Sequence, residues 1–241
     1  MTAIDTYALQ ARVVPVVVVC MPPLVLLGAG IITTSALGIS AGLVTTALAA
    51  LASQLGRDRG RALQPGLWAG WGGAPTVIAL RHREAEHPGR VARAHECITA
   101  VTDMEMPTAS EEAADPAAAD ERYGEAAVRL IARTRDKEKF GLLGAENQSY
   151  GQRRNLLGLK GVGIAVAVLT LVAAIVLFAV TEGTADERLA RYAPAAVVAI
   201  VLLTFWLLVV RKSWVRVPAD AYARQLIETA ETLVAERAVP R

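Results

Sequence analysis

The chain has 241 residues, 54% of them hydrophobic and 20% charged, with a formal net charge of +2 and a mean hydropathy of +0.38. It is too apolar for an ordinary soluble domain, and its charges are gathered in blocks, so membrane spans joined to a soluble part are expected. The small net charge, with no zinc-finger, helix-turn-helix or RNA-binding signature, excludes nucleic acid as a bulk electrostatic partner, and two cysteines exclude a disulfide framework.

The opening residues Met1 to Tyr7 carry no basic region, so the first apolar run is expected to be a retained span rather than a cleaved signal. That run, about 13–32, has no charge and the length a helix needs to cross the hydrocarbon. Pro22 and Pro23 should kink it, because each removes a backbone donor. A second span, about 36–55, is rich in Ala, Gly, Ser and Thr. Its small side chains either serve close helix contact, with Thr45 or Thr46 bonding across, or reflect no more than an alanine-rich genome. Only Thr33 to Ser35 remain between the two, which predicts a tight hairpin over 1–55.

Arg57, Arg59 and Arg61 follow this hairpin, and Arg153, Arg154 and Lys160 precede the next apolar run. Positive flanks favour the cytoplasmic side, which assigns 56–159 to a cytoplasmic domain. Spans at about 161–180 and 194–210 form a second hairpin, 160–211. Arg211, Lys212 and Arg216 then mark the return to the cytoplasm, where 212–241 forms a helix. The expected fold is therefore an all-α membrane protein, two transmembrane helical hairpins flanking a small, mostly helical cytoplasmic domain, with both termini cytoplasmic.

Within the middle region, Trp68 and Trp71 suit a membrane interface, and the glycines and proline from Leu67 to Thr76 predict a loop. Val77 to Leu80 reads as a short strand. Val91, Ala94, Ile98 and Val101 fall at helical spacing and predict an amphipathic helix over 90–102, with Arg93 and Glu96 outward. An acidic connection containing Glu111, Glu112 and Asp115 leads into a helix over about 117–137, with Tyr123, Ala127, Leu130, Ile131 and Thr134 on one side. Pro218 and Asp220 open the last helix, which presents Tyr222, Leu226, Thr229, Ala230 and Leu233 to a neighbour.

Candidate chemistry is sparse. His82, His87, His95 and Cys97 match no zinc spacing, and Arg81 and Arg83 beside His82 would repel a cation, so no metal site is assigned. No phosphate loop, dinucleotide fingerprint or nucleophile motif is present. This disfavours an enzyme of a familiar class and assigns neither catalytic residue nor cofactor. The spans carry no charge, which disfavours ion-coupled transport but leaves open a hydrophobically gated pore made by several subunits, or a plain anchor.

Two basic sets suit an anion, because arginine forks match phosphate. One is Arg81, Arg83, Arg90 and Arg93; the other is Arg133, Arg135, Arg153 and Arg154, with Asn147 and Tyr150 nearby. They are candidates for a nucleotide-like ligand or lipid headgroups, with salt bridges to Glu146, Asp136 and Glu138 as the alternative. Gly151 and Gly158 are candidate hinges within Glu146 to Lys160, the stretch read as coupling the cytoplasmic domain to the third span.

Several blocks carry a resemblance together. Arg57-Asp58-Arg59-Gly60, Leu67-Trp68 with Trp71-Gly72-Gly73-Ala74-Pro75-Thr76, Leu80-Arg81-His82-Arg83, Ala119-Asp120 with Tyr123, Thr134-Arg135-Asp136 with Phe140, and Glu146-Asn147 with Tyr150-Gly151 and Arg153-Arg154-Asn155 resemble a family of small bacterial four-span membrane proteins. The chain departs from the family pattern at Gln152, where that pattern has an aromatic side chain. The resemblance implies architecture and placement in the bacterial inner membrane, and no particular activity. The plan is also similar to that of the membrane effectors of antiphage defence systems. The expected role is thus a ligand- or partner-sensing cytoplasmic domain joined to spans that oligomerise with other copies and alter membrane permeability. A membrane anchor that recruits a cytoplasmic partner is the alternative, and a lipid-headgroup enzyme using Asp120, Asp136 or Glu146 is a weaker third.

Overall fold

The computed structural model describes residues 6–31, 54–136 and 138–238, and among them every regular element is a helix. These are α1 (Thr6–Ile31), α2 (54–71), α3 (Pro75–Leu80), α4 (Pro88–Thr102), α5 (Ala109–Ala114), α6 (Pro116–Arg133), α7 (Gly141–Val180), α8 (Ala185–Thr204) and α9 (Lys212–Ala238). A π-turn, Phe205–Val209, continues α8. The chain forms two compact units, one from Met1–Leu63 with Gly151–Val215 and the other from Gln64–Tyr150 with Arg216–Arg241.

The first unit holds the apolar helices. Among the described residues, two helices are long and apolar enough to cross a membrane, Gly141–Val180 with 40 residues and Ala185–Val209 with 25. The apolar part of α1, Val14–Gly28, is shorter and packs on α8. α1 is one helix through Pro15, Pro22 and Pro23. Large aliphatic side chains face outward on all three helices, among them Leu27, Leu169, Ile175, Val197, Ile200 and Leu208. Inward, Val19, Leu156, Leu159, Trp206 and Val210 form the core. The expected second span, 36–55, lies outside the described residues but for its last two positions, as does the turn at Thr33 to Ser35.

At its far end the α7–α8 hairpin is tied by side chains. Thr181 Oγ1 lies 2.9 Å from the Tyr192 hydroxyl. Arg188 donates to the Phe178 carbonyl at 3.1 Å and stacks over the Phe178 ring at 5.0 Å. Thr184 and Glu187 form a capping box that starts α8, after Gly183 turns the chain at φ 126°.

The second unit is a helical bundle whose core joins Leu80, Ile98, Val101, Tyr123, Leu130 and Phe140 to Leu226 and Ala230 of α9. Two sequence expectations are corrected here. Val77 to Leu80 is helical, because Pro75 sits at the first helical position and Val77 and Leu80, three apart, bury on one side. The loop expected over Leu67 to Thr76 is helix as far as 71. Gly66 and Gly70 have open space where a Cβ would stand, and the helix tolerates them at about 1 kcal/mol each. The break comes where Gly72 and Gly73 take φ of 89° and 149°.

The amphipathic helix read over 90–102 is α4, which starts at Pro88 and buries Val91, Ala94, Ile98 and Val101. The acidic connection contains a further helix, α5, nucleated by a capping box between Thr108 and Glu111. Asp115 then caps α6, which ends at Arg133, short of the expected 137. Beyond it Thr134 returns its hydroxyl to the Leu130 carbonyl at 3.1 Å. Ile131, expected inward, is exposed. α9 begins at Lys212, six residues before the proline expected to open it.

Candidate functional site

The densest polar cluster in the second unit centres on Glu112, a carboxylate 1% exposed. The chain leaving α3 wraps it: the amides of His82 and Arg83 donate to its two oxygens at 2.7 and 3.2 Å. The Arg83 guanidinium donates at 2.7 Å and the Tyr123 hydroxyl at 2.7 Å. Burial alone would raise the Glu112 pKa, yet these donors outweigh it and bring it down to about 2. Tyr123, buried against that carboxylate, is pushed well above the usual phenol range.

Asp120 on α6 completes the cluster. Arg81, 5% exposed, grips it in a fork, Nε to Oδ1 at 2.9 Å and Nη2 to Oδ2 at 2.6 Å. The other Arg81 donors reach Glu84 at 2.6 Å and the Gly72 carbonyl at 2.8 Å. Arg83 also bonds both Asp120 oxygens, at 2.9 and 3.0 Å. Burial raises the Asp120 pKa, but the two arginines hold it below its ordinary value. Nearby, His95 donates its Nε2 proton to the Leu80 carbonyl at 2.8 Å. Burial outweighs that bond and depresses the imidazole's pKa. Two cations thus face three carboxylates, Glu112, Asp120 and Glu84, so the cluster locks the α3–α4 connection onto α5 and α6. Arg81 and Arg83, expected to hold an anion, are held by the protein's own.

In the first unit the polar features gather where α8 ends. The π-turn closes with a bond from the Val210 amide to the Phe205 carbonyl at 3.2 Å, spanning five residues. The chain then leaves the helix at Val210. Lys160 of α7 donates to the Val210 carbonyl at 2.7 Å. Arg153, nearly two turns earlier on α7, donates to the Trp214 carbonyl at 3.0 Å and lies 4.8 Å over the Trp214 ring. Two α7 cations therefore satisfy one carbonyl at the break between α8 and α9, that of Val210, and one in the first turn of α9, that of Trp214. Beneath it, Gly163 gives room to Trp206: a Cβ there would stand 2.2 Å from the indole.

The same part of α7 receives α2 on glycine. A Cβ on Gly60 would meet the Asn155 Cα at 3.1 Å, and one on Gly158 would meet the Gly60 nitrogen at 2.7 Å. A Cβ on Gly56 would press on Leu159 at 2.8 Å. Gly56 and Gly60 form a Gly-x-x-x-Gly pair, the spacing that lets helices cross closely. Gly158, read as a hinge, lies inside the continuous helix α7 at this crossing, and Gly151 lies inside the same helix. The sequence assigned no site role to Gly56, Gly60, Asn155, Glu112 or Trp206, although Gly60, Asn155 and Glu112 stood in the blocks it singled out. The glycine spacing was the one available signal for the first two.

The remaining expected site residues are dispersed. Arg135 is exposed in the turn after α6, Asn147 is exposed on α7 and Tyr150 is buried on it. Arg153 and Arg154 fall in the first unit, while Arg81, Arg83, Arg135, Asn147 and Tyr150 fall in the second. Asp136, weighed as a catalytic carboxylate, accepts from the Glu138 and Lys139 amides at 3.0 and 3.2 Å, as a turn cap does. A groove of about 390 Å³ runs along α9 in the second unit, where Glu86, Arg90, Asp220, Arg224, Glu228 and Glu231 give it charge of both signs. Comparison with family models, curated proteins and solved structures gives no match.

Proposed function

We propose that this chain is a multi-pass protein of the bacterial inner membrane, with four spans and both termini in the cytoplasm. Its second unit receives a ligand or partner in the cytoplasm, and its spans, assembled with other copies, alter membrane permeability, as a defence effector would. The observation that carries the reading is the outward row of aliphatic side chains on α1, α7 and α8, in a chain that also holds a helical unit with a core of its own. Such a surface on three helices has no role in water and serves as a lipid or subunit face. The absence of charge from the apolar helix interiors fits a pore that closes by dewetting.

The experiment is dye or ion leakage from cells expressing the chain on induction. Leakage that is lost with Arg153→Ala plus Arg154→Ala is expected. A membrane potential that stays intact in every condition overturns the reading. The mixed-charge groove along α9 favours a second reading, an anchor that recruits a cytoplasmic protein. Capture of a stoichiometric partner without leakage selects it.

A further inference from the structure

The first unit brings three short basic segments to one level. Residues 153–160 of α7 are met on one side by Gly60 of α2 and on another by 210–214, the break and the first turn of α9, through the Lys160 and Arg153 bonds. That stretch of α7 covers about 10 Å of helix axis, comparable with the headgroup layer on one side of a bilayer, about 5–8 Å. Segments 56–61, 153–160 and 210–214 together contain one acid, Asp58, which already pairs with Arg57 at 3.6 Å.

Two of the cations are occupied by the break itself, and this sets the remainder apart. Lys160 and Arg153 spend donors on backbone carbonyls, whereas Arg59, Arg61, Arg211 and Lys212 are exposed and make no ion pair among the described residues. Trp214, two residues after Lys212, is half-buried with one face taken by Arg153, as an aromatic residue at headgroup depth is. Solvated cations without acids cost self-repulsion in water; phosphates at the same depth remove it.

We propose that Arg59, Arg61, Arg211 and Lys212 form a binding surface for the headgroups of anionic phospholipids. The inference rests on the membrane reading above and adds a lipid class to it. The surface has two parts at one level on opposite faces of α7, one carried by α2 and one by the chain after α8, so anionic headgroups gathered there would neutralise both.

The test is electron paramagnetic resonance of the full chain in phosphatidylcholine vesicles doped with spin-labelled phosphatidylglycerol or spin-labelled phosphatidylcholine. The wild type should immobilise phosphatidylglycerol in preference by at least about fivefold, the effect of one cation near an anionic surface. The preference should vanish in Arg59→Gln/Arg61→Gln/Arg211→Gln/Lys212→Gln and persist in Arg59→Lys/Arg61→Lys/Arg211→Lys. Equal immobilisation of both lipids by the wild type overturns the proposal while leaving the membrane reading intact. So does an unchanged preference in the glutamine variant, or its loss to inorganic phosphate at matched ionic strength. Immobilisation of neither lipid overturns both.

Discussion

Gly158 and Gly60 meet backbone to backbone: a single added methyl on Gly158 would stand 2.7 Å from the Gly60 nitrogen. A gap that small cannot be relieved by turning a side chain, so the helices themselves must separate. Gly158→Ala and Gly60→Ala are each expected to cost about 1–3 kcal/mol, the usual range for overpacking. Gly161, three residues along α7, has open space instead. Gly161→Ala should be neutral or stabilising by up to about 1 kcal/mol. Thermal unfolding of the three variants in detergent checks the contrast; equal behaviour would remove the crossing from the account.

Glu112 sets an acid limit on the second unit. Its folded pKa, about 2, lies below the ordinary 4.5, so its contribution is fully present above about pH 5 and fades as pH falls toward 2. The difference corresponds to about 3 kcal/mol. Glu112→Gln should flatten that acid limb and cost about 3 kcal/mol at neutral pH, because its amide, hydroxyl and guanidinium donors lose a charged acceptor while Arg83 keeps Asp120. Urea unfolding followed by tyrosine fluorescence across pH 2–7 measures both effects.

Arg81→Lys separates structure from recognition. The lysine keeps the charge but loses the fork to Asp120 and the bond to the Gly72 carbonyl, so a loss of about 2 kcal/mol is expected. If Arg81 serves only to hold the fold, partner or nucleotide binding measured at a temperature where the variant is folded should be unchanged. A selective loss of binding would return Arg81 to the ligand site.

The helices were legible in the sequence wherever a long pattern repeated. Val91, Ala94, Ile98 and Val101 declare one face of α4, and the unbroken apolar runs declare α7 and α8. Val77 to Leu80 did not, because four apolar residues fit a strand and a buried helical turn equally well. The fate of the arginines was not legible either. Arg81 finds its carboxylate 39 residues away, a distance along which no local spacing rule operates. Gly56 and Gly60 announce a close approach, but the surface they approach, Asn155 to Leu159, is chosen by the fold. The polar stretch from Glu146 to Lys160 read as a hinge for a related reason: its composition is that of a linker, whereas its backbone is helix throughout.

Lys160→Met tests the break after α8. Val210 is fully buried, and removing the ammonium leaves its carbonyl without that donor, at about 1–3 kcal/mol. Hydrogen exchange at residues 205–214 should accelerate by about tenfold or more, with the rest of α8 unaffected. Unchanged protection would mean that the lysine is not what holds the break.

The second unit is discontinuous, built from Gln64–Tyr150 and Arg216–Arg241, and Leu226 and Ala230 of its core belong to the later piece. During synthesis that core cannot close until α9 has left the ribosome, by which time both long apolar helices, α7 and α8, have already emerged. On the membrane reading proposed above, those helices meet the bilayer before the second unit is complete. A fragment ending at Tyr150 would leave the ribosome with an open cleft where α9 belongs, and to fold it would need the last helix supplied separately or joined by a linker.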